Sequence, residues 1–344
     1  MLETRTTPDA GATAIDDVAT RRRLDRREAV VRGLEAYALL GLLLVLVLFF
    51  AVFPETSDTF LTSANLQILV GNQAVLAIVA LAALIPLVCN EFDLSVGPVA
   101  GLSSIFVASA LSDGTPVVVA ILIGIGIGAG VGLVNALLVT KAGINGVITT
   151  LGMATVITGV IVQRTGGVAV VSDIPASVTG FGTENFLGVP RVAYVLAVVA
   201  AGVYYLLAHT PFGRKLYALG SNPTAARLVG IRTNLMVGST FVLAGTLAGA
   251  AGVLQVARAG GADPRVGDNF TLPALAAAFL SAAAVRPGRY NVGGALIAIF
   301  FIAVLNSGLN LAGAPQYLNS YVNGAALIVG VGMAAFLHRR RARA

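Results

Sequence analysis

The chain contains few charged residues. Asp, Glu, Lys and Arg make up 11% of its 344 residues, whereas soluble domains average about 25%. A soluble protein of this size could not cover its surface with so few charges. The single cysteine, Cys89, excludes an intramolecular disulfide, and the lack of Trp leaves Tyr and Phe to form any aromatic belt. With 57% hydrophobic residues, the composition predicts a membrane protein.

Motifs for nucleotide, metal and proton chemistry are also absent. The chain has no G-x-x-x-x-G-K-[ST] phosphate loop, so it does not bind ATP in the usual way. Its two histidines, His209 and His338, have no cysteine or carboxylate cluster beside them, which argues against a metal site. No lone acid lies inside an apolar run, where a proton-driven carrier would need one. The sequence predicts no enzyme, catalytic residue or cofactor, and a pump would take its energy from a partner.

Apolar runs of about 20 residues, the length that crosses about 30 Å of hydrocarbon, dominate the chain. We predict ten, of which the third and eighth are the weakest. They cover residues 34–53, 66–88, 95–112, 116–139, 144–163, 190–208, 236–257, 270–285, 291–311 and 318–337. The predicted fold is therefore an all-α polytopic membrane protein. Its transmembrane domain at 34–338 lies between a polar, disordered tail at 1–33 and a basic tail at 339–344.

Positive charges are distributed unevenly between the two sides of this topology. With an even number of spans, both termini lie on the same side. If that side is the cytoplasm, 18 Lys and Arg residues are cytoplasmic and only four, Arg164, Arg191, Arg258 and Arg265, lie outside. This is a strong positive-inside bias, and it predicts an inner-membrane protein with both termini in the cytoplasm.

The polar loop at 209–235 contains a short helix with clear end signals. Asn222 can cap its start, Pro223 suits its first position and Gly230 suits the residue after its end. The loop has no acid, and its cations are Arg214, Lys215, Arg227 and Arg232. A capped helix with apolar residues, held at a membrane face by cations, is typical of an element that docks into another protein. This pattern favours a transport protein.

Two carboxylates lie at the junction of the second and third spans, in the segment Asn90-Glu91-Phe92-Asp93-Leu94-Ser95. Charges are costly to desolvate there. One interpretation is a short loop in which Asp93 or Ser95 caps the next helix. The other is that Asn90, Glu91, Asp93 and Ser95 orient the helix end beside a pathway or bind a cytoplasmic partner. A catalytic acid/base pair is far less favoured, because no nucleophile or metal-ligand set accompanies it.

A faint internal repeat relates the fourth and ninth spans. GLVNALLVTKAG at 132–143 and AVLNSGLNLAG at 303–313 each place an asparagine, Asn135 or Asn306, three residues after a small residue. The two are five spans apart, so the halves would have opposite orientations, as in many transporters. Asn135, Asn306 and Asn310 are uncharged and would suit a neutral hydroxylated solute. Hydrogen bonding between helices is the more common role of such residues, and both interpretations remain open.

Four stretches resemble the permease subunits of bacterial ABC importers for simple sugars, the ribose/xylose/arabinose group, and the likeness runs from about residue 40 to 337. They are NEFDLSVGPVAGLS at 90–103, GLVNALLVTKAGINGVITTLGMATVITGV at 132–160, TPFGRKLYALGSNPTAARLVGI at 210–231 and NVGGALIAIFFIAVLNSGLNLAGAPQYLNSYVNGAALI at 291–328. The third is the most specific. The chain departs from the family at 279–294, where Arg286 and Arg289 are gained, and at Asn90, where Gly is usual.

The resemblance implies a homodimeric or pseudo-symmetric channel that imports a monosaccharide or similar solute with a separate ATPase and a separate solute-binding protein. It implies that the helix near 222–230 couples to the ATPase, through Gly213, Arg214, Lys215, Asn222, Ala225, Ala226, Arg227 and Gly230. The external Arg164, Arg191, Arg258 and Arg265 are predicted to meet complementary charges on the binding protein. The alternatives are an ion-coupled secondary carrier, an ABC permease for a non-sugar solute such as a nucleoside, and a non-transporting scaffold or receptor.

Overall fold

The computed structural model describes residues 36–343, with the side chains of residues 36–336. The predicted tail at 1–33 lies outside the described residues. The helices are α1 (Ala36–Val52), α2 (Ser57–Phe60), α3 (Ser63–Leu87), α4 (Val96–Ser112), α5 (Val117–Thr140), α6 (Gly146–Thr165), α7 (Ala176–Thr183), α8 (Arg191–His209), α9 (Pro211–Ser221), α10 (Pro223–Leu228), α11 (Thr233–Ala259), α12 (Val266–Leu280), α13 (Val292–Leu311) and α14 (Tyr317–Arg343). A small antiparallel hairpin, β1 (Asn185–Phe186) and β2 (Val189–Pro190), precedes α8.

Seven of the described helices are long and apolar enough to cross a membrane: α3, α5, α6, α8, α11, α13 and α14. The other three predicted spans correspond to the shorter helices α1, α4 and α12. The fold is therefore the predicted all-α, multi-pass membrane protein. With 17 and 15 residues, α4 and α12 extend only about 25 and 22 Å, less than the hydrocarbon thickness of about 30 Å.

The predicted eighth span differs most from the structure. We expected residues 270–285, but α12 begins at Val266 and ends at Leu280. A 3-10 turn, Ser281–Ala283, and a loop follow it. The reason is Asn291, whose side-chain Nδ2 donates to the carbonyl oxygens of Ser281 at 2.8 Å and Ala284 at 2.9 Å. These bonds fold the loop back onto the end of α12, so the apolar residues 281–285 do not continue the helix.

The helix ends gather at two faces of the bundle. We call the face that carries α9 and α10 the basic face, because Arg214, Lys215 and Arg227 lie there. The end of α5 joins the start of α11 at this face through a 3.2 Å bond from Asn234 Nδ2 to the Thr140 carbonyl. At the opposite face, residues 166–190 form α7 and the hairpin, and Val170 pairs with Ala262.

The two halves of the bundle form an inverted repeat. The starts of α3 and α11 are 170 residues apart, as are those of α4 and α12, and those of α6 and α14 are 171 apart. Packing follows the same order in both halves: α3 contacts α12 and α13, just as α11 contacts α4 and α5. Likewise, α4 contacts α5 and α6, and α12 contacts α13 and α14. The helices of one half thus pack largely against those of the other.

Small residues allow the backbones of the two halves to approach closely. Along α5, Gly124, Gly128 and Gly132 face α11, and a Cβ added at Gly128 would meet the carbonyl oxygen of Gly245. Small residues drive association of membrane helices because they bring backbones into van der Waals contact. The glycine face of α5 therefore forms the main contact between the repeats.

Candidate functional site

The short helix at the basic face begins and ends as predicted. The side-chain Oδ1 of Asn222 accepts the N–H of Ala225 at 2.9 Å, and Pro223 occupies the first turn. Gly230 has φ of 81°, a left-handed conformation that favours glycine. Asn222, Pro223 and Gly230 therefore fix the bounds of α10.

Two apolar side chains of this segment point into water. Leu228 is 84% exposed and Val229 76% exposed, whereas Ala226 is buried and holds α10 to the bundle. The exposed cations Arg214, Lys215 and Arg227 lie on the same loop, and Ala225 is exposed with them. An exposed apolar pair rimmed by polar residues marks an interaction surface.

Sequence reasoning missed α9 as a separate helix. Its start is capped by Thr210, whose Oγ1 accepts the N–H of Gly213 at 3.3 Å. Leu216 and Leu219 bury one face, and Gly213 packs against the carbonyl of Leu207. The apolar spacing of these residues and the Thr-Pro start are the signals that could have predicted α9.

Three contacts tie α9 to the membrane helices. Tyr217 Oη donates to the Tyr290 carbonyl at 2.6 Å, and burial raises the pKa of Tyr217, which keeps the phenol protonated. Asn90 Nδ2 donates to the Gly220 carbonyl at 2.6 Å, and Gly220 packs against Val88 at the end of α3. Asn90 has φ of 63°, which Asn and Gly tolerate best. Asn90 thus joins the end of α3 to α9.

The structure brings Asp93, Ser95 and Asn135 together in a buried chain of hydrogen bonds. Asp93 Oδ1 accepts the Ser95 N–H at 2.9 Å and its hydroxyl at 2.6 Å. Asn135 Nδ2 donates to Ser95 Oγ at 2.9 Å. Ser95 occupies the N-cap position of α4 but makes no side-chain cap bond, and Asp93 bonds Ser95 in the turn before the helix. Glu91 points elsewhere, toward Gly146 at the start of α6.

The same local structure occurs at the start of α12. Asp263-Pro264-Arg265-Val266-Gly267 matches Asp93-Leu94-Ser95-Val96-Gly97 at Asp, Val and Gly. Asp263 Oδ1 accepts the Arg265 N–H at 2.7 Å. The residues before the two helices, Ser95 and Arg265, have φ/ψ of −88°/−8° and −93°/−5°. This duplicated turn went unnoticed in the sequence, because only three residues repeat across 170 positions.

The two short helices cross at their starts. A Cβ added at Gly97 would meet the carbonyl oxygen of Gly267 and the hydroxyl of Thr271. One added at Gly101 would lie 3.1 Å from the Gly267 Cα. Because α4 and α12 start from opposite faces yet touch there, both begin in the interior. Such discontinuous helices mark the binding region of many transporters.

The predicted pair Asn135 and Asn306 occupies equivalent positions of the repeat but has separate partners. Asn306 Nδ2 donates to Asn323 Oδ1 at 3.3 Å, and Asn310 accepts from Asn319 at 3.0 Å. In both Asn135 and Asn306 the side-chain Oδ1 is buried and finds no hydrogen-bond donor among the described residues. The two equivalent amide oxygens thus share the same unmet hydrogen-bonding capacity.

The four cations of the opposite face differ in environment. Arg164 and Arg265 are exposed. Arg191 forms an ion pair with Glu184 at 2.8 Å. Arg258 lies against α3, where its Nε donates to Asn72 Oδ1 at 3.1 Å. Arg164 and Arg265 are thus the more available to a docking partner.

Membrane-crossing helices in an inverted repeat, with two discontinuous helices crossing inside it, define a transport protein. The chain belongs to the family described as branched-chain amino acid transport system / permease component, whose model matches residues 65–331.

Relatives align over most of their length. The ribose import permease protein RbsC of Escherichia coli is 32% identical over 292 residues, which cover 84% of this chain and 91% of that protein. The protein of the same name from Bacillus subtilis is 33% identical over 301 residues, covering 85% and 91%. The autoinducer 2 import system permease protein LsrC of Salmonella paratyphi B is 29% identical over 289 residues, covering 84% and 83%. No solved structure matches the chain.

Proposed function

We propose that the chain is the membrane-spanning permease subunit of an ATP-driven ABC importer that carries a monosaccharide across the inner membrane. Family membership and the full-length similarity to permeases named for ribose import support this function. The observation that carries it is α10, a capped helix that exposes Leu228 and Val229 among cations at the basic face. A separate ATPase subunit docks on this surface from the cytoplasm.

The contacts of α9 transmit the motion of the ATPase to the spans. Through Asn90 and Gly220, movement of α10 reaches the connection between α3 and α4. Through Tyr217 and Tyr290, it reaches the loop between α12 and α13. These two connections adjoin the two discontinuous helices, so one docking surface acts on both. In this assignment the basic face and both termini are cytoplasmic.

The solute path passes the region where α4 and α12 cross, in a homodimer of permeases. The unpartnered oxygens of Asn135 and Asn306 accept hydrogen bonds from solute hydroxyl groups. Uncharged acceptors suit a neutral sugar, which binds weakly enough to leave again. The similarity to an autoinducer 2 permease makes another small solute the second candidate. A solute-binding protein docks at the face opposite the basic face, and Arg164 and Arg265 are its main contacts.

ATP-driven uptake by proteoliposomes that contain the permease, its ATPase and the loaded binding protein tests this function. We expect labelled ribose to enter only with ATP and the ATPase. Leu228→Asp should weaken ATPase binding and abolish uptake. Leu187→Asp is the matched control, because Leu187 is also 84% exposed but lies at the opposite face. Uptake without ATP, or equal ATPase affinity in both variants, would contradict the proposal.

A further inference from the structure

A cavity at the basic face separates α8 from α13. Its volume is about 340 Å³. The residues that line it come from these two helices, from α9 and from the loop after α12. Since α8 and α13 touch at few points, the cavity is a gap between neighbouring spans. Tyr204, one of its lining residues, is half-exposed, so the gap is open at the surface of α8.

The cavity is polar at one end and apolar at the other. Its polar end holds the exposed side chain of Arg286 and the start of α13 at Val292 and Gly293. As the first residues of a helix, Val292 and Gly293 have N–H groups that no intrahelical carbonyl accepts. Its apolar end lies between Ala200 of α8 and Leu296 of α13. Along α8 the lining runs from Ala200 to Ala208, about 12 Å of helix, so the cavity reaches well below the membrane surface.

Positive charge is concentrated at the polar end, where no acid of the described residues lines the cavity. Among the residues whose side chains the structure describes, neither Arg286 nor Arg289 forms an ion pair. The Arg289 guanidinium lies 4.4 Å from the centre of the Tyr217 ring, which leaves Arg286 as the cation lining the cavity. Both arginines belong to the segment at 279–294 that departs from the sugar-permease pattern. The coupling surface on α10 does not include them.

We propose that this cavity binds an anionic phospholipid of the cytoplasmic leaflet. The phosphate binds to Arg286 and the N–H groups at the start of α13, and one acyl chain lies in the slot between Ala200 and Leu296. Basic pockets between membrane helices on the cytoplasmic side recognise anionic head groups in this way. A loop of the ATPase would satisfy Arg286, but it would not fill an apolar slot between two spans. The charge and the depth of the cavity together favour a lipid.

Binding of fluorescent phosphatidylglycerol to the purified full-length protein tests the proposal, with phosphatidylcholine and inorganic phosphate as competitors. We expect phosphatidylglycerol to bind at least fivefold more tightly than phosphatidylcholine, and phosphate not to displace it. Arg286→Gln should weaken phosphatidylglycerol binding about fivefold, the effect of about 1 kcal/mol for one cation near a membrane surface. Arg286→Lys should restore most of this affinity. Lys141→Gln, which removes an exposed cation of the same face, is the matched control and should bind normally.

A second variant tests the acyl-chain slot without touching the charge. Ala201 lines the cavity and is exposed, so Ala201→Phe fills the slot without crowding a buried position. It should weaken the binding of both lipids. Equal affinity for the two lipids, or normal binding by both Arg286→Gln and Ala201→Phe, would overturn the proposal. So would displacement by phosphate, which indicates a free-anion site, or an Arg286→Gln defect confined to ATPase affinity, which indicates a protein contact.

Discussion

Asn135 and Asn306 offer a test that separates solute binding from helix packing. Each has a buried Oδ1 without a donor among the described residues, and each donates one side-chain hydrogen bond, at 2.9 and 3.3 Å. Leucine has nearly the shape of asparagine, so Asn135→Leu and Asn306→Leu remove both polar groups and leave little cavity. Each variant also leaves one former partner without its donor, Ser95 Oγ or Asn323 Oδ1, and an unsatisfied buried group costs about 1–3 kcal/mol.

The two variants should affect stability and uptake differently. Loss of an interhelical hydrogen bond in a membrane costs about 0.6 kcal/mol, whereas removing an unsatisfied buried acceptor recovers about 1–3 kcal/mol. The gain and the cost nearly cancel, so we expect each variant to unfold close to the wild-type temperature. A hydrogen bond to a neutral solute is worth about 0.5–1.5 kcal/mol, so uptake per folded molecule should fall about two- to tenfold.

Thermal unfolding in detergent and sugar uptake by proteoliposomes measure these two quantities on the same preparation. Asn65→Leu is the control, because its amide already donates to the Phe60 carbonyl at 2.8 Å and lies outside the pair. A pathway role also predicts a changed preference among sugars. Unchanged uptake together with a lower unfolding temperature would refute the reasoning and make both residues packing contacts only.

Three further changes test the crossing of α4 with α12, the end of α10 and the face opposite the basic face. Gly97→Ala places a methyl group against the backbone of α12 and should destabilise the protein by about 1–3 kcal/mol. Gly152→Ala is the control, because Gly152 has open space around it. Equal unfolding temperatures of the two variants would disprove the tight crossing of α4 and α12. Gly230→Val strains a left-handed residue, so uptake should fall while membrane insertion persists; normal uptake would exclude this helix end from coupling. Arg265→Glu should slow docking of the binding protein at low salt more than Arg258→Glu, because Arg258 is already bonded within the bundle; equal rates in a stopped-flow measurement would argue against this contact.

The sequence predicts this fold well wherever local chemistry decides the structure. Hydrophobic runs identify the spans, and Asn222, Pro223 and Gly230 each set a backbone conformation that bounds α10. The buried chain from Asp93 to Asn135 could not be predicted, because its members are 42 residues apart and meet only through the packing of α4 against α5. The predicted end of the eighth span, at residue 285, was wrong for a similar reason, because it depends on the bonds from Asn291 back to Ser281 and Ala284.

The interleaving of the two repeats constrains the order in which the chain can assemble. The glycine face of α5 packs against α11, which begins about 90 residues after α5 ends. The packing partners of α4 also include helices that come later in the chain, α11 and α12. While the chain is being synthesised, the early helices therefore enter the membrane before the surfaces they fit exist. Larger chains in such a state are prone to misassembly. The first half must therefore stay unpacked in the bilayer until α11 and α12 insert and supply the surfaces that complete it.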